Sequence, residues 1–235
     1  MENLIKYLNE TMELIIMDIN FWRDKRVFVT GGTGFIGTYL IKELVDAGAK
    51  IFCLVQELPA KSNFTKLGLD KKANMIFGTV LDANLINVTL KKHEIDTVFH
   101  LAAQPLVQIA LANPFETIQI NFMGTLNILE ACRVQKIKRI IIASTDKAYG
   151  EQERLPYEEH HPLQGKYPYD VSKSCADLIS QGYGKTYDMP IAVTRFSIVY
   201  GGGDLNFDII VPQSIRHIIF DEPILIRSNG KFVRE

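Results

Sequence analysis

The stretch Thr30-Gly31-Gly32-Thr33-Gly34-Phe35-Ile36-Gly37 constrains the fold more than any other part of the chain. Its glycines, spaced G-x-x-G-x-x-G, follow a short apolar run, Lys25 to Thr30 (KRVFVT), and open a helical pattern through Tyr39-Leu40-Ile41 and Leu44-Val45 that ends at Gly48. A diphosphate beside a helix N-terminus needs backbone free of Cβ atoms and several outward N–H groups. In such a turn Gly31 makes the tight bend, Gly34 admits the diphosphate and Gly37 lets the helix close on the strand. A bare structural turn is the competing reading. The strand before and the helix after favour a dinucleotide site.

The same alternation continues downstream. Apolar runs at Ile51–Val55, Met75–Phe77, Asp96–Leu101, Arg139–Ser144 and Pro190–Ile198 read as strands. Ala83–His93, Pro114–Val134 and Tyr169–Tyr187 read as helices, with Pro114 in a first turn. Strands that are continuously apolar and alternate with helices predict an α/β fold, a doubly wound parallel sheet with helices on both faces. After Tyr200 the alternation stops at Gly201-Gly202-Gly203; one helix-like segment (Val211–Ile219) and one strand-like segment (Pro223–Arg227) follow. Residues 1–20 read as a leader and 21–200 as the dinucleotide-binding domain.

Composition excludes several classes. Lys plus Arg is 26 and Asp plus Glu 27 in 235 residues, and 47% of residues are hydrophobic. The near-zero charge carries no footprint for nucleic acid or an anionic membrane. Cys53, Cys132 and Cys175 are too far apart for a zinc site or a disulfide framework, and a reducing cytoplasmic setting is expected. His160 and His161 have no partner at metal spacing, so no metal site is expected. The opening MENLIKYLNETMELIIMDINFW is interrupted by Glu2, Lys6, Glu10, Glu13 and Asp18, which argues against a membrane span. Leu4, Leu8, Leu14 and Ile15 would form an amphipathic turn or two.

Two further groups bear on chemistry. At the end of the second strand stand Gln56 and Glu57 with no Arg beside them, which tilts the cofactor towards NAD and leaves NADP open. Glu57 is either a ribose ligand or a solvated charge. Tyr169 and Lys173 are four apart on a helix and share a face. A cation beside a phenol favours phenolate, so a lowered Tyr169 pKa is expected. Thr145, Asp146 and Lys147 lie beyond the carboxyl end of the strand Ile140–Ala143, where open α/β sheets gather their active groups. A surface ion pair is the competing reading for Asp146 and Lys147. His100 reads as a packed core histidine, Tyr149 and Tyr167 as walls, and Cys175 as packing. Asn121 either bonds to the active-site strand or faces a polar groove.

TGGTGFIG, HLAAQ, STDKAYG and YDVSK, in this order, resemble the extended short-chain dehydrogenase/reductases, which implies a Rossmann-like fold. With NPFETIQINFMGT, YPYDVSKSCADL and YGGGDLN, the chain is similar to nucleotide-sugar 4,6-dehydratases acting on CDP-glucose, from about Phe21 to the last residue. The resemblance implies that Gly31, Thr33, Gly34, Phe35, Ile36, Gly37, Gln56, Leu101, Ala102, Ala103, Tyr169 and Lys173 bind the cofactor. It implies substrate contacts from Gln104, Asn121, Asp204, Asn206 and Arg234, with Pro212 in the same region. It further implies a cycle in which Tyr169, with Lys173 and Thr145, deprotonates the sugar 4-hydroxyl while C4 gives hydride to NAD. Lys147 then removes the C5 proton, Asp146 protonates the departing 6-hydroxyl, and hydride returns to C6.

Three departures accompany the resemblance. Thr79 stands where the family often has Asp, which predicts weaker cofactor binding. Ser197-Ile198 replaces a Gly-Asn pair. The chain ends within a segment that continues in the family, so residues 201–235 are expected to be the start of an incomplete substrate-binding region, with apolar surface left open to dimerisation. The alternatives are an epimerase or reductase of the same superfamily, or a non-catalytic cofactor-binding protein.

Overall fold

The apolar runs become the strands of one sheet, buried at its centre and partly exposed along its two edges. In the computed structural model, which describes residues 19–58, 62–224, 226 and 229, β1 (Arg26–Thr30) and β2 (Lys50–Val55) are buried almost throughout. β3 (Asn74–Phe77), β4 (Thr97–His100), β5 (Arg139–Thr145) and β6 (Ile191–Phe196) complete one sheet. Its order is β3-β2-β1-β4-β5-β6, with every neighbouring pair parallel. This is the doubly wound Rossmann-like arrangement, with the order reversing between β1 and β4.

The period-two alternation of a strand assigns its side chains to two cores. Val27, Val29, Ile51, Cys53 and Val55 face Ile41 and Leu44 of α1 (Phe35–Asp46), with Trp22, Phe64 and Leu69 around them. Phe28, Phe52, Leu54, Val98, Ile140 and Ile142 face the opposite way. They meet Ile86 and Leu90 of α2 (Ala83–Lys92) and Ile128 and Leu129 of α5 (Gly124–Gln135). Asp82 starts α2 by accepting a hydrogen bond from Leu85 N at 2.9 Å, the Asp cap that frees the first turn from unpaired amides.

The long helix expected over Pro114–Val134 is divided. α3 (Val107–Ala112) precedes it, Asn113 caps α4 (Pro114–Ile118), and Gln119–Met123 form a π-helical turn before α5. A π turn widens the backbone ring by one residue, and such turns concentrate at functional sites. α6 (Pro168–Tyr187) starts on Pro168 and ends on Asp188 in the left-handed region. α7 (Ile210–Ile219) is amphipathic, yet Ile215, Ile218 and Ile219 stay exposed. An open apolar cleft of about 920 Å³ lies beside α1, lined by Trp22, Phe35, Tyr39, Ile141, Ala192 and Tyr200 among others. No strand forms at the described residues of the segment 223–227, and the leader residues 1–18 lie outside the described residues. Among the described residues, no helix is long and apolar enough to cross a membrane.

One buried ion pair joins α6 to β6. Asp177, fully buried, accepts from Arg195 Nε at 2.8 Å and Nη2 at 3.1 Å, and from Ser144 Oγ at 2.7 Å. Arg195 also donates to the Tyr149 hydroxyl at 2.8 Å. Burial alone would raise the Asp177 carboxyl, but Arg195, Ser144 and Gln181 outweigh it and hold it below the usual carboxylate range. Replacing Asp177 by Ala leaves a buried guanidinium without its charge partner, and urea unfolding should report a loss of about 3–5 kcal/mol. Because the folded carboxyl titrates below its unfolded value of about 3.9, the pair's contribution is complete above that pH. It is lost as pH falls through the folded value, so wild type and variant should converge in acid.

Candidate active site

The carboxyl ends of β1, β4 and β5 build the site. The chain leaves β1 through Gly31, whose φ of +70° suits a residue without Cβ. A Cβ there would lie 2.7 Å from Ala102 N, so the loops after β1 and β4 touch backbone to backbone. Gly34 is the N-cap of α1 and supplies no side-chain cap to its first amides; that turn carries no acidic residue. An uncapped helix start on a glycine cradle fits a dinucleotide diphosphate. Thr33, Phe35 and Ile36 belong to this loop and first turn, while Leu101, Ala102 and Ala103 run beside it from the end of β4. Gln56 and Glu57 are exposed just beyond β2.

Thr145 ends β5, and a 3-10 turn, Asp146–Tyr149, begins at once. Thr145 Oγ1 donates to Asp146 Oδ1 at 3.0 Å and accepts from Lys147 N at 3.3 Å. The Tyr169 phenol lies near Thr145, whose hydroxyl favours the ionised phenol. Ser197 Oγ donates to the other Asp146 oxygen at 3.3 Å. Lys147 is exposed, and its charge acts on the Asp170 carboxyl next to Tyr169. Burial raises Asp170; Lys147 and the Tyr167 amide oppose that rise, and Asp146 adds to it.

Tyr169 and Lys173 share one face of α6, as expected. Lys173 is buried, and its Nζ donates to Ala143 O at 2.6 Å. Burial pulls its pKa down to about 8, with Asp177 pulling the other way. The expected lowering of the phenol is overturned. Burial pushes Tyr169 up to about 12; the Thr145 hydroxyl opposes this, while Asp170 and Asp146 add to it. Burial is the main cause; in addition the Lys173 ammonium is spent on the Ala143 carbonyl, and the charges that bear on the phenol are carboxylates.

Asn121 sits in the π turn and is buried. It bonds to neither an active-site strand nor a groove. Its Nδ2 donates to Gln104 O at 3.1 Å and to Ser172 Oγ at 2.9 Å, and its Oδ1 accepts from Gln104 N at 2.7 Å. The Gln104 side chain is likewise engaged, with Thr117 and the Leu106 backbone. Asn121 thus holds the loop after β4 against α6 and Gln104 holds it against α4, and Asn121 keeps no spare N–H for a sugar. Downstream, Tyr39 Oη donates to Gly202 O at 2.5 Å and Asn63 Nδ2 to Gly203 O at 3.1 Å, which fasten the glycine loop to α1 and to the short helix Asn63–Lys66. Asn206 N donates to Asp204 Oδ1 at 2.9 Å, and Asp204 Oδ2 is buried without a partner among the described residues. Arg234 lies outside the described residues. Among the described residues no cluster suits a metal ion. Ser197, read from sequence as a departure, holds Asp146; Asp170, Ser172 and the Asp177–Arg195 pair were missed because nothing in their spacing links them to the site.

A family model described as GDP-mannose 4,6 dehydratase matches residues 28–219. The CDP-glucose 4,6-dehydratase of Salmonella typhimurium is 33% identical over an alignment of 225 positions that covers 91% of this chain and 63% of that protein. The chain therefore spans less than two thirds of that relative. A dTDP-glucose 4,6-dehydratase from Streptomyces venezuelae, solved with NAD and TYD bound, superposes with a TM-score of 0.79 at 26% identity, covering 89% of this chain and 67% of that one. The UDP-glucose 4-epimerase of Thermotoga maritima, solved with UDP-glucose, gives 0.80 at 25% identity, covering 89% and 68%.

The buried Lys173 yields a pH prediction. Its folded pKa is about 8. The unfolded value is about 10.4, so between the two the unfolded chain binds more protons and stability rises with pH. Urea midpoints measured from pH 7 to 10.5 should climb through this window in the wild type. The climb should be absent in Lys173→Met.

Proposed function

The chain belongs to the GDP-mannose 4,6 dehydratase family, and we propose that it takes part in NAD-dependent 4,6-dehydration of a nucleotide sugar of the CDP-glucose kind. The observation that carries this reading is the grouping at the end of β5: Thr145, hydrogen-bonded to Asp146, lies near the Tyr169 phenol, and Lys147 is next in sequence. Proton transfer at a sugar 4-hydroxyl needs only a phenol, a hydroxyl and an ammonium. Elimination across C5 and C6 needs in addition a base for C5–H and an acid for the departing oxygen, and Lys147 and Asp146 supply that second pair. An epimerase shares the first set and has no use for the second.

In this reading Gly31, Gly34 and Gly37 leave room for the diphosphate, Gln56 lies towards a ribose, and Lys173 supplies a buried cation near Tyr169. When bound, NAD supplies the acceptor for the C4 hydride and the donor that returns it at C6. Tyr169 takes the 4-hydroxyl proton, with the Thr145 hydroxyl beside it. Lys147 takes the proton from C5, acidified by the new 4-keto group. Asp146 protonates the 6-hydroxyl, which leaves as water. Asp204, with one buried oxygen free to accept, supports the expectation of a sugar-nucleotide contact there. The exposed apolar side chains Phe115 of α4 and Leu178 of α6 support association as a homodimer.

Incubation with CDP-glucose and NAD should yield a 4-keto-6-deoxy sugar, seen by its absorbance in alkali. Deuterium from solvent should enter at C5. Lys147→Ala should lower turnover about 10²-fold or more, with NAD affinity unchanged. Interconversion of 4-epimers with no keto product would replace the dehydratase reading by the epimerase one. Full turnover in Lys147→Ala would remove that residue from the mechanism.

A further inference from the structure

His100 ends β4 and stands in register with Thr30 at the end of β1. Both are buried, as are Thr125 and Asn121. His100 Nδ1 lies 2.7 Å from Thr30 Oγ1, and Nε2 lies 3.0 Å from Thr125 Oγ1. Counting hydrogens fixes the direction of each bond. Thr125 Oγ1 donates its one proton to the Asn121 carbonyl at 2.6 Å, so the imidazole must carry its hydrogen on Nε2. Nδ1 is then an acceptor and takes the Thr30 hydroxyl proton. Thr30 Oγ1 in turn accepts from Ala102 N at 3.2 Å. Burial, then the Lys173 charge, hold the ring pKa down at about 3, which agrees with a neutral ring.

The ends of this chain matter. Ala102 N is the atom that the backbone of Gly31 approaches so closely. Asn121 grips the Gln104 backbone and, through Ser172, the helix that carries Tyr169 and Lys173. We propose that His100 is a positioning residue: as its Nε2–H tautomer it sets the spacing between the dinucleotide loop and the helix that bears Tyr169 and Lys173. The proposal rests on the dinucleotide reading of residues 31–37. An imidazole suits the task because it presents an acceptor on one edge and a donor on the other at a fixed separation. Neither hydroxyl could reach across the gap alone.

The unmodified chain gives the first test. ¹⁵N spectra of the imidazole should show a protonated Nε2 and a bare Nδ1 from pH 8 down to pH 5; an Nδ1–H tautomer overturns the proposal. Two variants then divide the ring. In His100→Asn the side-chain oxygen falls near the place of Nδ1, and in His100→Gln the amide nitrogen falls near that of Nε2. His100→Gln should speed hydrogen exchange at the Ala102 amide and weaken NAD binding about tenfold, with the Gln104 amide unchanged. His100→Asn should speed exchange at Gln104 and slow turnover, with NAD affinity within about twofold. Equal effects of both variants at both amides would leave the histidine merely structural and overturn the proposal. A wild-type chain that bound no NAD would defeat the dinucleotide reading, while the exchange pattern would still decide the role of the ring.

Discussion

The contact between the Gly31 backbone and the Leu101–Ala102 backbone governs the rest of this structure. β1 and β4 run side by side in register up to Thr30 and His100. Beyond that point the chain from β1 turns into α1 on one face, while the helices α2 and α5 cover the other. Such a parting of two loops leaves a crevice at the carboxyl edge of the sheet. It can be narrow only because no side chain stands between the two backbones. The free helix start at Gly34, the hydroxyl of Thr145 and the phenol of Tyr169 all open towards this edge.

The polar groups beneath that edge fall into two kinds. Asp177 and Arg195 neutralise each other, and His100 sheds its charge, so both are compatible with burial. Lys173 has only a carbonyl as its near partner, and its charge is held against the cost of burial. Natural folds keep such uncompensated groups where chemistry requires them. The stabilised pair sits one helical turn from the buried ammonium, so α6 is anchored to β6 close to Lys173.

The strands were legible because helices cover both faces of the sheet, which makes each run continuously apolar. Tyr169 and Lys173 were legible because a helix places residues four apart on one face. What escaped was of two sorts. α3 is six residues long, too short for any periodicity to establish itself. The other features join residues distant in the chain: Asp177 to Arg195, Thr30 to His100, Asn121 to Gln104. A Ser or Asp on a helix reads as solvated until the fold brings its partner, and no pattern along the chain announces the meeting. The phenol pKa was misjudged because burial, the main cause of its rise, leaves no mark on residue spacing. Spacing tells which residues share a face and says nothing of which carbonyl claims the ammonium.

The π turn at Gln119–Met123 has a consequence for how this helix can change. It holds one residue more than a regular turn, and each residue of an α-helix rotates the following side chains by about 100°. Removing a single residue there would wind the segment back to an unbroken helix. The swing would carry the side chains upstream of the lesion away from the partners they now meet, relative to the part buried against the sheet. Insertions and deletions, tolerated in surface loops, are therefore excluded from this stretch of buried helix. The surplus residue behaves as a fixed element of the architecture, as much as any strand.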